Sequence, residues 1–159
     1  MSTEADKLVT FRLGEDLFAA DIYSVERVLR YTAPTPVPDM PAYIEGVMDY
    51  QGRVVPLVNL RLRFELPAAP VASETRTLVL NVAGEWIGIV VDGVTEVASY
   101  DKAAVSPPPK LFRGLSSDYL KGIVRRGDRL VIFLDVDQLL SSSERIALQE
   151  AGARELAHG

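Results

Sequence analysis

Cysteine is absent from this 159-residue chain, histidine and tryptophan occur once each, and no apolar run approaches the roughly 18 residues of a membrane span. Each absence removes a class of function. Without thiolates there is no disulfide stapling, thiolate zinc site, iron–sulfur cluster or cysteine nucleophile. The single histidine, His158, stands one residue from the chain end, where no packed scaffold would hold it. Neither a Ser-His-Asp arrangement nor a multi-histidine metal centre can be built from it. No glycine-rich stretch ends in Gly-Lys-Ser or Gly-Lys-Thr, so no phosphate loop is present. A net charge of −5 argues against a nucleic-acid surface, which needs clustered Lys and Arg to displace counterions. The opening Met1-Ser-Thr-Glu-Ala-Asp-Lys7 lacks the basic and apolar regions of a signal peptide. The expectation is a cytoplasmic protein without direct membrane insertion, and a monomer in solution.

What is present is a repeat. Pro41 to Leu60 holds two apolar runs, Tyr43–Met48 and Val54–Leu60, around a polar Asp49-Tyr50-Gln51-Gly52-Arg53 corner, the pattern of a β-hairpin. It recurs 76 positions on, as 43 is from 119: Tyr43 answers Tyr119, Gly46 answers Gly122, Arg53 answers Arg129 and Val55 answers Val131. A second echo links Phe11–Phe18, Val25-Glu26-Arg27-Val28 and Tyr31 to Leu80–Ile87, Val94-Thr95-Glu96-Val97 and Tyr100. Here the spacing is 69, as 25 is from 94. One structural unit is therefore used twice, with the seven-residue difference absorbed in a loop.

Taken in order, Leu8–Leu13 and Leu17–Ala20 predict a first hairpin, and Thr77–Val82 with Trp86–Val91 a corresponding one. The Ile22, Val25, Val28-Leu29 spacing suggests one short helical turn, and by the repeat a short helical start is expected at Asp92-Gly93. Pro34, Pro36, Pro38 and Pro41 make a stiff extended connector, as do Pro107, Pro108 and Pro109. Arg61–Leu66 reads as a short helix or a strand end, and 67–73 as a linker. Leu115–Val124 and Leu130–Val136 predict the last hairpin and Asp137–Leu140 a short helix. Ser141 and Glu144 have capping-box spacing before a final helix over Arg145–Leu156. The fold expected is mainly β: two five-stranded barrels packed on each other, with short helices and a C-terminal helix. The boundaries expected are about 8–69 and 70–140 for the two halves, with 141–159 as helix and tail.

Candidate chemistry is sparse. Asp92, Asp135 and Asp137 lie near strand ends and could be a carboxylate pair for hydrolysis, the alternative of a small β-barrel enzyme. Asp92 and Asp137 also fit helix N-terminal positions, where an oxygen accepts orphan N–H groups. Trp86 reads as core, and Ser106-Pro-Pro-Pro109 as a rigid connector. Binding is the remaining reading: Leu111-Phe112 and the Val25–Val28 ridge are apolar groups on short connectors.

Seven short motifs stand in register with a known family: Phe11-x-Leu-Gly14, Val25-x-x-Val28, Thr35-Pro-Val-Pro38, Pro41-x-Tyr-Ile-x-Gly-Val47, Gly52-Arg-Val-Val-Pro-Leu-Val-Asn-Leu-Arg61, Ile89-Val-Val-Asp-Gly-Val94 and Tyr119-Leu-x-Gly122. From about Leu8 to Leu140 the sequence resembles the CheW family of bacterial chemotaxis coupling proteins. The resemblance implies a non-enzymatic adaptor, without cofactor or metal, of two Src-homology-3-like barrels around a shared hydrophobic core. It implies two partners, the cytoplasmic tips of methyl-accepting chemotaxis receptors and a CheA-type histidine kinase, and recruitment to membrane-associated receptor arrays. Carried over by position, the receptor-facing groove would involve Val25, Arg27, Gly46, Gln51 and Val97. Leu111 and Phe112 would lie near a kinase or array contact. Family members usually place Glu at the position of Arg27, and Asn-x-Arg-Gly where this chain has Asp49-Tyr50-Gln51-Gly52. An acid and a base able to pair across the groove are replaced by a base and a neutral amide, which favours a differently charged partner.

Overall fold

The computed structural model describes residues 6–112, 115–141, 143–148 and 150–151, with the side chains of Asp6, Leu111 and Phe112 outside that description. The first hairpin is β1 (Asp6–Leu13) and β2 (Asp16–Asp21), followed by a single 3-10 turn at Ile22–Ser24. Strand β3 (Val25–Arg30) comes next, then β4 (Ile44–Tyr50), β5 (Arg53–Asn59) and the one-turn helix α1 (Leu60–Arg63). The second half repeats the series as β6 (Arg76–Val82), β7 (Glu85–Val91), β8 (Gly93–Tyr100) and β9 (Val105–Ser106). After it come β10 (Leu111–Phe112) and β11 (Leu115–Ser116), then β12 (Leu120–Arg126) and β13 (Arg129–Leu134). A final helix, α2, covers 143–148. The expected extension of this helix over 152–156, and His158, lie outside the described residues.

The expected short helical turn begins earlier than Val25: the 3-10 turn ends at Ser24, and Val25–Val28 is strand. Asp92-Gly93 is not a helical start either, because β8 begins at Gly93. In both places hydrogen bonding to a neighbouring strand overrides the local spacing. The equivalence itself holds in detail. Both strands bulge at matching residues: β3 skips Glu26 against β6, and β8 skips Thr95 against β1.

The sheets do not follow the expected division of the chain into halves 8–69 and 70–140. One sheet runs β3-β6-β7-β5-β4, the other β8-β1-β2-β13-β12-β9. Each hairpin has a free edge, and it is satisfied by the other half: β5 lies parallel to β7, and β13 parallel to β2. One barrel is therefore continuous in sequence, from Val25 to Val91, and is inserted into a second, split barrel made of β1, β2 and the strands from β8 onward. Closure is the same in both. Thr35 bridges Val47 on β4, and β9 pairs with β12, each just after the strand that opens its barrel's second edge.

Gly46 and Gly122 sit under those closures. A Cβ on Gly46 would collide with the carbonyl oxygen of Thr35, and Gly46 has φ +151°. A Cβ on Gly122 would collide with Val105 and the Ser106 carbonyl. Only glycine lets the closing segment approach so near.

Strand alternation sends side chains to two kinds of core. Leu8, Ala19, Tyr100, Val124, Val131 and Phe133 fill the split barrel, and Tyr50, Val55 and Val79 fill the continuous one. The opposite faces meet in a larger shared core containing Phe11, Phe18, Leu80, Ile89, Ile132 and Leu139. Through it runs an aromatic series, Phe11–Phe18 at 6.0 Å, Phe18–Phe64 at 5.9 Å and Phe64–Tyr119 at 5.2 Å between ring centres. Phe18 is fully buried, and truncating such a ring to alanine costs about 3 to 5 kcal/mol.

Candidate partner-binding site

Two charged residues of the motifs, Arg61 and Asp92, meet at the seam between the barrels. Asn59 caps α1 by accepting from Leu62 N–H, which turns the chain so that Arg61 and Arg63 point back across the seam. Arg61 donates to Asp92 through Nε (3.1 Å) and Nη2 (2.5 Å), a two-pronged guanidinium–carboxylate contact. The same carboxylate accepts the Gly14 N–H at 2.6 Å. Burial works to raise the Asp92 carboxyl, but Arg61, the Gly14 N–H and Arg12 together hold it below the usual carboxylate range. The Asp92 hydrogen bond and charge push the Arg61 guanidinium up. Gly14, Arg61 and Asp92, from three separate motifs, thus form one clamp.

Arg63 makes a second tie. Its guanidinium lies 4.4 Å from the ring centre of Tyr43 and 5.6 Å from that of Tyr119, the two tyrosines that answer each other in the repeat. It also donates to the Leu139 carbonyl at 2.8 Å and to Glu144 at 3.4 Å. Tyr43 donates to Glu144, and burial followed by that bond pushes its phenol up to about 12. Glu144 and Ser141 form the expected capping box: Ser141 N–H to Glu144 at 2.7 Å and Glu144 N–H to Ser141 Oγ at 3.1 Å. Burial opposes ionisation of Glu144, yet the Ser141 N–H, Tyr43 and Arg63 hold its carboxyl low. Next to this tie is an open polar cleft of about 400 Å³ between Arg63, Tyr119, Asp137 and Arg145.

These arrangements leave no free acid–base pair among the three candidates. Asp92 is the clamp carboxylate rather than a helix cap, and Asp135 accepts the Asp137 N–H to cap the 3-10 turn at Val136–Gln138. Asp137 is at the first turn of that element, as expected.

The expected receptor-facing residues fall into two groups. Val25, Arg27, Gly46 and Gln51 belong to the continuous barrel, whereas Val97 is on β8 of the split barrel. Val25 is half-buried against the shared core. Arg27 is exposed on β3, between exposed Glu26 and Val28. Gly46 is buried under Thr35 and offers no surface of its own, so it acts by placing the 31–43 connector. Gln51 is at the β4–β5 turn with φ +52°, a left-handed conformation, and its amide donates to the Tyr50 hydroxyl at 3.3 Å. Val97 is 56% exposed.

Glu96 and Arg126 stand where Arg27 and Tyr50 stand in the continuous barrel, and they pair at 2.9 Å. Leu111 and Phe112 pair in backbone with Ser116 and Leu115. Trp86, read from sequence as core, is half-buried, edge-on to Tyr50 at 5.0 Å and covered by Arg53 at 4.2 Å. Neither seam tie follows from the sequence pattern. Tyr43 and Tyr119 were visible as a repeated pair, but nothing in spacing alone places an arginine between them.

Two barrels fused by a charged seam, with β3 an exposed edge strand, have the architecture of an interaction module. Comparison with known proteins agrees: a model of the CheW-like domain matches residues 7–144. The chain is 34% identical to Chemotaxis protein CheW of Treponema pallidum, covering 91% of this chain and 87% of that one. It is 33% identical to Chemotaxis protein CheW of Klebsiella aerogenes (89% and 86%) and 28% identical to Protein FrzA of Myxococcus xanthus (87% and 87%). The crystal structure of the scaffolding protein TtCheW from Thermoanaerobacter tengcongensis superposes with TM-score 0.83 at 26% identity, covering 90% and 92% of the two chains. The chain belongs to the CheW family. It is a chemotaxis adaptor. No helix among the described residues is long and apolar enough to cross a membrane.

Proposed function

We propose that this adaptor couples the cytoplasmic tips of methyl-accepting chemoreceptors to a CheA-type histidine kinase, and so is recruited to membrane-associated receptor arrays. Val25, Arg27 and the Gln51 turn of the continuous barrel form the receptor-facing groove, with Val97 at its margin on the split barrel. Leu111 and Phe112 contribute to a kinase or array contact. The observation that carries this reading is Arg27, exposed on edge strand β3. No hydrogen bond or ion pair ties it to another described residue, so its charge is available to a partner.

The same position supports a specialised system with its own receptor or kinase set. A base where the family pattern has an acid selects an acidic contact and penalises a basic one. That the family also includes a relative under another name, FrzA, is consistent with more than one pathway using this fold.

Isothermal titration of the full chain against its own receptor-tip fragment and against the kinase's regulatory domain tests the proposal. Arg27→Glu weakens receptor binding at least about tenfold, a 1.4 kcal/mol effect, and leaves kinase binding unchanged. Leu111→Ser with Phe112→Ser does the reverse. Receptor binding indifferent to Arg27→Glu would sink the specialised reading, and binding to neither partner would sink the coupling role.

A further inference from the structure

The two barrels differ at one end, and the repeat makes the difference readable. In the continuous barrel the interior beside the hairpin turns is filled by the chain itself: Trp86 from β7 meets Tyr50 from β4, and Arg53 covers the indole. The corresponding positions in the split barrel are Leu17, Arg126 and Arg129. Leucine is smaller than tryptophan, and Arg126 turns away to pair with Glu96. A cavity of about 190 Å³ is left at this barrel's mouth.

Its construction is specific. Thr10, 2% exposed, meets Thr95 across the strands (Oγ1 to Oγ1, 2.5 Å) to form one wall, one hydroxyl donating to the other, whose own proton goes to a backbone carbonyl in reach, that of Glu96 or of Thr10. Leu17 and Val131 give apolar walls, and the rim carries Arg12, Arg126 and Arg129 against the carboxylate of Glu96. Arg129 is tied to the Glu15 carbonyl at 3.0 Å, and Arg12 reaches the Asp92 carbonyl at 3.5 Å and Glu74 at 3.7 Å. On a chain of net charge −5, these three arginines meet two carboxylates, Glu96 and Glu74, which leaves the rim one positive charge in excess over these five side chains.

We propose that the mouth of the split barrel is a docking site for one aromatic side chain, flanked by carboxylates, on a partner protein. The chain's own Trp86 shows the mode of filling: a ring enters the barrel end and a guanidinium closes over it. In the split barrel Arg129 takes the place of Arg53, and the flanking acids would exchange with Glu74 and Glu96 as the carboxylates facing Arg12 and Arg126. Apolar walls and a cationic rim fit a ring with acids beside it better than an acid alone, because a bare carboxylate placed between Leu17 and Val131 would lose hydration without a partner. The site is separate from Arg27 and stands or falls independently of the receptor and kinase reading.

The test is an amide NMR titration of the full chain with a blocked pentapeptide holding one tryptophan between two aspartates on each side. Saturable shifts below about 1 mM are expected at Leu17, Thr95 and Val131. A peptide with lysine flanks binds at least about tenfold more weakly. Leu17→Trp, which copies the continuous barrel's own filling, removes the shifts while circular dichroism stays unchanged. Arg129→Ala, which leaves the interior intact, weakens binding at least about threefold. No shift with the acidic peptide at 1 mM, or undiminished binding by Leu17→Trp, overturns the proposal. Equal or tighter binding of indole-3-acetate makes the occupant a free aromatic acid and overturns the partner-protein form.

Discussion

Arg61 meets Asp92 with two of its nitrogens, and that contact joins the helix after β5 to the strand junction before β8. Both side chains are largely buried, at 18% and 24% exposure. Removing one charge leaves the other without its counter-ion, so Asp92→Asn should cost about 2 to 3 kcal/mol at pH 7, measured by urea unfolding. A carboxyl whose folded pKa lies below its unfolded value adds stability above about pH 4. That stability disappears as pH falls through the folded value. The midpoint of thermal unfolding should therefore drop between pH 5 and pH 3 more steeply in the native protein than in Asp92→Asn. Parallel curves would remove Asp92 from the acid limb.

Gly46 and Gly122 should respond alike to alanine. Each new methyl collides with a closing segment, and Gly46 also has a φ that alanine adopts only with strain. Overpacking of this kind costs about 1 to 3 kcal/mol, with Gly46→Ala the worse of the two. Chemical denaturation of both variants reads it directly. If Gly122→Ala were neutral, β9 would have to be free to shift away from β12.

Arg63 holds Tyr43, Tyr119, Leu139 and Glu144 together. Arg63→Ala should loosen the approach to α2 more than the barrels. Hydrogen exchange at 139–148 should accelerate at least about tenfold while β6 and β7 stay protected. Uniform acceleration would mean that the seam and the barrels open as one unit.

Cutting the chain in the 67–73 linker separates β1–β5 from β6–β13. Neither piece contains a complete sheet, because each barrel draws strands from both. Each piece alone should lack a cooperative unfolding transition, and mixing them should restore one at about equimolar ratio. A first piece that folds alone would show the strand exchange to be dispensable.

The repeat was legible because paired apolar runs, glycines and tyrosines recur at fixed spacing, and the hairpins follow from alternation and turn residues. The barrels do not coincide with the sequence halves because spacing reports what is equivalent, not what is hydrogen-bonded. The parallel β5–β7 and β13–β2 contacts join residues about 30 and 115 positions apart, and no local signal marks them. Arg27 and Gln51 could be flagged by comparison with the family pattern, whereas the open mouth of the split barrel could not. Leu17 and Arg126 are unremarkable in sequence, and only the matching Trp86 and Tyr50, seen in three dimensions, reveal what is missing between them.

Insertion of one barrel into the other also sets a schedule for synthesis. The strands of the continuous barrel are all made by Val91, whereas the β1–β2 hairpin, made first, has no partner strand until β8 and none for its other edge until β13. Roughly 40 further residues separate those events, a few seconds at about 5 to 20 residues per second. During that interval the nascent chain holds a finished barrel beside an unpaired hairpin whose Phe11 and Phe18 already belong to the shared core. The early barrel offers the core face on which those two rings finally pack, whereas both hairpin edges stay open to a neighbouring chain until β8 and β13 are made.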